Sequence, residues 1–199
     1  MKKTILFITL SLFTTLIIAQ EHKEYYNNGT LKVEGQYENE QQTGEWKYYH
    51  ENGQQTGEWK IYHENGQLKA IGKSENGQVT GEWKYYHENG ELKKIGKYEN
   101  GQATGEWKFY HENGELQRIG KYENGKGTGE WKNYHENGKV EQISLWKKGK
   151  LMDIISYYDN KGDKLDKGTL VNGNGTVKRY DENGILTKTY TYINGEKQE

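Results

Sequence analysis

Five histidines recur along the chain, at His50, His63, His87, His111 and His135, and imidazoles in series invite a metal-binding reading. On a β-ladder, equivalent positions in neighbouring units lie two strands apart, about 9.6 Å, which is too far to share one ion. These histidines are therefore expected to be polar strand-end residues packed on Leu92 or its equivalents, with no metal. Asp159, Asn160, Gly162 and Asp163 resemble a calcium loop only superficially, because the alternating oxygen ligands and the terminal Glu are missing. Carboxylates such as Glu88 and Glu112 fall at turn positions facing solvent, where nothing would push two pKa values apart for acid–base work. No phosphate-binding Gly loop, Ser/His/Asp set or Cys nucleophile is present, so neither enzymatic activity nor a cofactor is expected.

The aromatic residues are the stronger candidates. Trp46, Trp59, Trp83, Tyr85, Trp107, Phe109 and Trp131 recur at spacings that place them on one face of a sheet. A stripe of this width serves either its own sheet, with rings stacked on each other and on glycines, or a contact with a protein, a lipid surface or a glycan. Aromatic anchors are enriched at protein interfaces, so a protein partner is the expected ligand, with a lipid or glycan surface as the alternative.

The elements that would position these residues come from an internal repeat. Residues 81–104 read GEWKYYHENGELKKIGKYENGQAT and residues 105–128 read GEWKFYHENGELQRIGKYENGKGT, a period of 24. The glycine of the first turn recurs at Gly29, Gly53, Gly66, Gly90, Gly114, Gly138, Gly162 and Gly184. A tyrosine stands four residues before each of them, and the tryptophan position seven before is taken over by Ile155 and Val177 near the end. Residues 145–199 are thus the same repeat in degenerate form. One step, Gly53 to Gly66, is only 13: half a unit is missing, and a local irregularity is expected there.

Asn-Gly between alternating hydrophobics signals a hairpin with both turn residues at φ > 0. A two-residue turn at Asn89-Gly90 would oppose Glu88 to Glu91, His87 to Leu92, Tyr86 to Lys93, Tyr85 to Lys94 and Trp83 to Gly96. The Trp83 ring could then lie across the bare backbone of Gly96, as Trp107 could across Gly120. Glu82 and Glu106 would pair across strands with Lys97 and Lys121. Counting both halves of each unit gives an all-β, elongated antiparallel meander of about 15 strands, roughly 70 Å long at the usual strand spacing.

The first residues read as an address. Lys2 and Lys3 precede an apolar run from Ile5 to Ile18, and Ala19 offers a small residue before Gln20, the layout of a secretory signal peptide. The expected organisation is a signal peptide at 1–19 and a repeat domain at 20–199, exported to the periplasm, outer surface or medium and not integral to a membrane after cleavage. The chain has no Cys and no Pro, with 28 basic and 29 acidic residues. This balanced, interspersed charge leaves no footprint for nucleic acid.

At GEWKYYHENG…L…G.Y.NG, recurring along residues 22–195, the sequence resembles the MORN-repeat variant family, many of whose bacterial members bear the label of a YwqK-type antitoxin component. The resemblance implies an elongated sheet of hairpins used for binding or scaffolding, with no catalytic residues to carry over. An antitoxin meets its toxin in the cytoplasm, which sits poorly with export. Mass measurement of the exported protein should find a chain beginning at Gln20. A protein that keeps residues 1–19 would instead be anchored by them.

Overall fold

The computed structural model describes residues 20–198 apart from 52, 54, 76, 77 and 182. The expected signal peptide, like Gly77 of one second turn, lies outside the described residues. Fifteen strands and no helix make up the described chain. Twelve form one antiparallel sheet in strict sequence order: β1 (Gln20–Tyr25), β2 (Leu31–Glu38), β3 (Gln41–Tyr49), β4 (Gln55–Tyr62), β5 (Leu68–Glu75), β6 (Gln78–Tyr86), β7 (Leu92–Glu99), β8 (Gln102–Tyr110), β9 (Leu116–Glu123), β10 (Lys126–Tyr134), β11 (Val140–Lys147) and β12 (Lys150–Tyr157). The expected count is met, but the last three, β13 (Gly175–Tyr180), β14 (Leu186–Ile193) and β15 (Glu196–Lys197), form a separate sheet. After β12, and before β13, the described residues make two isolated bridges, Tyr158 to Lys164 and Val171 to Asn174.

The two turns of a unit differ although both are written Asn-Gly. At the second turn Asn100 and Gly101 both have positive φ, 49° and 76°, the two-residue type I′ geometry that matches strand twist. At the first turn only Gly90 does, at 88°. The Gly90 N–H donates to the His87 carbonyl at 3.0 Å and the His87 N–H to the Glu91 carbonyl at 2.8 Å. This is a three-residue loop ending in a left-handed glycine, the role filled also by Gly53, Gly66, Gly114 and Gly138. The two-residue turn expected at Asn89-Gly90 is thus corrected. Asn89 keeps ordinary φ because its side chain holds the loop, its Oδ1 accepting the Glu91 N–H at 3.0 Å. The extra residue is absorbed by a bulge, so Tyr86 faces Leu92, while Tyr85–Lys94, Lys84–Ile95 and Trp83–Gly96 keep the expected register.

Trp83 does face Gly96 in register, but its ring lies on Gly72 of the preceding strand. The same step is taken by Trp46 onto Gly35, Trp107 onto Gly96 and Trp131 onto Gly120. Between β7 and β8, the single residue Gly96 is opposed by three, Gly105 to Trp107. Gly105 takes φ 66° there, and this bulge tips the indole back over the earlier strand. All four rings are at most 3% exposed: they are the core of a one-layer sheet. The ion pairs also differ from expectation. They run along each strand, Glu82–Lys84 at 3.5 Å and Glu106–Lys108 at 3.4 Å, because residues two apart share a face.

The missing half-unit leaves the sheet unbroken but turns it over. β3 and β4 both carry a tryptophan and pair directly, Trp46 with Lys60 and Lys47 with Trp59. Cross-strand partners share a face, so Trp46 and Trp59 point to opposite sides. Trp59 continues through Gly72 to the side of Trp83, Trp107 and Trp131. Trp46 stays with Tyr37 and Tyr48 on the other side, where Lys60 lies 5.5 Å above the Tyr48 ring. The single continuous stripe read from the sequence is corrected to two stripes on opposite faces.

The C-terminal sheet closes one end. Leu151, Ile154, Leu170 and Val177 form a buried cluster with Trp146 and Tyr192 against it. The turn glycines stack by backbone bonds, Gly195 N–H to the Gly173 carbonyl and Gly173 N–H to the Met152 carbonyl, both 2.8 Å. A cap of this kind is what a stack of repeats needs where its last face would meet water. Among the described residues no helix is long and apolar enough to cross a membrane.

The ring-on-glycine contact makes a quantitative demand. A Cβ on Gly96 would overlap the Trp107 ring. Gly96→Ala and Trp107→Ala should each destabilise the sheet, the latter by about 3–5 kcal/mol. The double variant should lose clearly less than the sum of the two. Chemical denaturation of the four proteins checks this, and additive losses would mean that the ring does not bear on Gly96.

Candidate functional site

Two surfaces concentrate side-chain interactions: the edge carrying the first turns and the aromatic face. Along the edge successive units are clipped together. His63 Nε2 lies 3.1 Å from the Tyr86 carbonyl, His87 Nε2 3.0 Å from that of Tyr110, His111 Nε2 2.9 Å from that of Tyr134 and His135 Nε2 3.0 Å from that of Tyr158. Asn65, Asn89 and Asn113 donate in parallel from Nδ2 to the carbonyls of Glu88, Glu112 and Glu136, at 2.9–3.1 Å. His63, His87, His111 and His135 therefore bridge units through backbone carbonyls. A bond to a carbonyl requires Nε2 to carry the proton, so that nitrogen is a donor and not a metal ligand.

The clip ends where His gives way to Asp. Asp159 and Asp181 hold the histidine position in the last two units. The Asp159 carboxylate turns inward, its Oδ1 accepting the N–H groups of Lys161, Gly162 and Asp163, each at 2.9 Å. What resembled a calcium loop is a carboxylate-capped turn. The Asp163 N–H foremost, with those of Lys161 and Gly162, holds the Asp159 carboxyl below the ordinary carboxylate range.

On the aromatic face the tryptophans lie deepest. Tyr98 meets Trp107 edge-on at 5.0 Å and Tyr122 meets Trp131 in the same way at 5.0 Å. Phe109 lies 6.2 Å from both Trp107 and Trp131. The Tyr85 hydroxyl is 3.2 Å from that of Tyr98, and burial, with that contact, pushes its pKa up. Cations fill the gaps between rings: Lys94 Nζ sits 4.0 Å above Tyr85 and the Arg118 guanidinium 4.2 Å above Trp131. Burial lowers the pKa of both.

Of the residues expected to make contacts, Trp46, Trp83, Trp107 and Trp131 are thus turned onto their own sheet. Tyr85 and Phe109 are half-buried beside them, and Trp59, with no glycine before it to cover, is also half-buried, with Lys47 6.0 Å above its ring. What this face offers outward is Tyr85, Tyr98, Phe109 and Tyr122 with the edges of Lys94 and Arg118. The two cations were not singled out from the sequence, although the register that opposes Lys94 to Tyr85 could have found them. On β3, on the side of Lys47 and Trp59, Tyr49 donates to Glu34 at 2.6 Å. Burial, and then that carboxylate, push its hydroxyl pKa up to about 12.

The Asp159 turn carries a pH signature. Its carboxyl is held below its ordinary value of 3.8, so the carboxylate's contribution is complete at neutral pH and falls away as pH drops below that value. Amide exchange at Gly162 and Asp163 should accelerate in that acid range relative to the Glu88–Gly90 loop. Asp159→Asn, which keeps an oxygen acceptor but no charge, should remove the acid step and leave a lower plateau.

Comparison with protein families matches the MORN repeat variant at residues 21–39, 42–54, 55–76, 79–100, 103–126, 128–148 and 173–194. The short second match covers the half-unit before Gln55, and the interval left after residue 148 contains β12 and the segment that leaves the sheet. Comparison with curated proteins returns no match. Seven matched units, across most of the chain and in register with the hairpins described above, establish that it belongs to the MORN repeat variant family.

Proposed function

We propose that this chain is an exported, non-catalytic scaffold that holds a protein partner on its aromatic face. The observation carrying this reading is the make-up of that face: half-buried Tyr85, Tyr98, Phe109 and Tyr122 with Lys94 and Arg118 stacked among them, over a rigid floor of Trp–Gly contacts. Tyrosine and arginine are enriched among the residues that carry binding energy at protein interfaces, and the broad tyrosine ring loses little freedom on binding. On β4, β6, β8 and β10 each glutamate pairs with a lysine along its own strand, and basic and acidic residues are nearly equal in number along the chain, 28 against 29, which argues against simple attraction to an anionic surface. The leader-like residues 1–19 support export. A lipid or glycan ligand, or a toxin held in the envelope as the antitoxin label would have it, are the competing occupants of the same face.

In-cell crosslinking of the tagged mature protein, followed by mass spectrometry, tests this directly. One dominant protein should be captured, and its recovery should fall at least about tenfold in a Tyr98→Ser, Phe109→Ser variant whose β circular dichroism is retained. Undiminished capture by that variant would reject the face. Capture of no protein, with sedimentation on liposomes or retention on a glycan array, would replace the protein partner by the lipid or glycan alternative.

A further inference from the structure

A cavity outside the aromatic face lies where the chain leaves the long sheet. The strand that should follow β12 does not pair with it, and a cavity of about 340 Å³ remains between the last clipped turns and the end of β13. Tyr134, Tyr158 and Tyr180 line it, together with the carboxylates of Glu136, Glu141 and Asp181. Tyr157, at 2% exposure, forms part of its wall, edge-on to Tyr180 at 5.4 Å.

Three acids meet at this cavity. On the Trp strands each glutamate has a lysine two residues on, within 3.2–3.7 Å. Among the described residues, Glu136, Glu141 and Asp181 have no Lys or Arg at ion-pair distance. Asp181 Oδ1 accepts the N–H groups of Asn183 and Ile185, and Glu141 accepts the Tyr157 hydroxyl at 3.3 Å. Neighbouring bases are committed elsewhere: Lys139 Nζ donates to the Lys161 carbonyl at 2.9 Å, and Arg179, which does not line the cavity, lies against the Tyr157 hydroxyl. Of these acids Glu141 departs from the repeat, its position being Lys93 and Gln117 in the two preceding units, while Glu136 repeats as Glu88 and Glu112 and Asp181 shares the histidine position with Asp159.

The rings point the same way. Several internal cations stack on aromatic rings of this chain: Lys94 on Tyr85 at 4.0 Å, Arg118 on Trp131 at 4.2 Å, Lys197 on Tyr190 at 4.4 Å. Among the described residues, Tyr134, Tyr157, Tyr158 and Tyr180 carry none. Aromatic walls with carboxylates at the rim attract a desolvated ammonium or guanidinium through both quadrupole and charge. A volume at the lower end of small-ligand pockets suits the end of one side chain.

We propose that this cavity is a cation socket that receives a lysine or arginine side chain of a partner protein. It rests on the scaffold reading for its use, while the affinity of the socket for a cation stands independently of the aromatic face. The test uses the full mature chain and two amidated tetrapeptides, one of lysines and one of the same lysines fully acetylated, titrated calorimetrically. The lysine peptide should bind saturably at one site and the acetylated peptide should not. Glu136→Gln with Glu141→Gln should weaken binding at least about tenfold, and Tyr158→Ala should weaken it as well. Glu106→Gln with Glu130→Gln, remote from the cavity, should leave it unchanged. Equal binding of the acetylated peptide, equal loss in the remote variant, or no saturable binding of the lysine peptide would overturn the proposal. Crosslinking separates the two readings. A partner still captured in full by the Glu136→Gln, Glu141→Gln variant leaves the scaffold standing and rejects the socket as its dock. Selective lysine-peptide binding without any captured protein keeps the socket and removes the scaffold.

Discussion

Everything in this molecule depends on an indole lying flat on a glycine of the strand before it. A single sheet has no second layer to bury its apolar face against, and a layered core is the usual source of stability. Here the layer is supplied from within: the Trp107 ring covers the backbone of Gly96, Tyr98 and Tyr122 close its edges, and the whole stack is one side chain deep. The glycine is required by space, since any Cβ would occupy the ring's place. The left-handed Gly105 is required by direction, since it makes the bulge that aims the ring backwards. Each unit is therefore stabilised by the one before it, which is the nearest-neighbour logic of a repeat protein worked out at the level of a single contact.

That dependence explains how the sheet survives the loss of half a unit. Trp59 follows another tryptophan strand directly, so there is no glycine before it to cover, and it is the tryptophan of β3–β10 left half-buried. Hydrogen bonding between β3 and β4 is indifferent to this, because a ladder needs only backbone. Side-chain parity is not indifferent, and the aromatic stripe crosses to the other side. A change of eleven residues thus gives a scaffold with one kind of surface facing in two directions, Trp46 with Tyr37 and Tyr48 on one side and the longer stripe on the other.

Much of this was legible in the sequence, and what was hidden has physical causes. The 24-residue period, the strand count and the register of Trp83 with Gly96 follow from alternation and from the glycine spacing. The turn type does not follow, because ENG opens both turns of the unit. What separates them is the Asn89 side chain, which bonds the Glu91 N–H and the Glu112 carbonyl of the next unit, a partner no local reading supplies. The ring's choice of glycine was hidden for a similar reason: a glycine stands before and after every regular tryptophan strand, and only the bulge decides between them. Of the candidate contact residues, burial separates the four tryptophans of the floor from Tyr85 and Phe109 above it, and burial is not written in a period.

The ends of the array carry the remaining specificity. In the middle, each histidine reaches a carbonyl one unit ahead, so the clip needs a following unit in the right place. Asp159 stands where the following unit leaves the sheet, and a carboxylate, which cannot donate to a carbonyl, turns instead to the N–H groups of its own loop, as that of Asp181 also does. The His-to-Asp exchange therefore fits the edge to its ending, just as the Leu151, Ile154, Leu170 and Val177 cluster fits the last strand to its cap. The same exchange leaves acids and uncovered tyrosines facing the gap that the departing strand opens. Repetition makes the long sheet uniform and its sites equivalent. Where the chain leaves the sheet that uniformity ends, and there a side-chain set arises that occurs once in the described molecule and can distinguish one partner group from another.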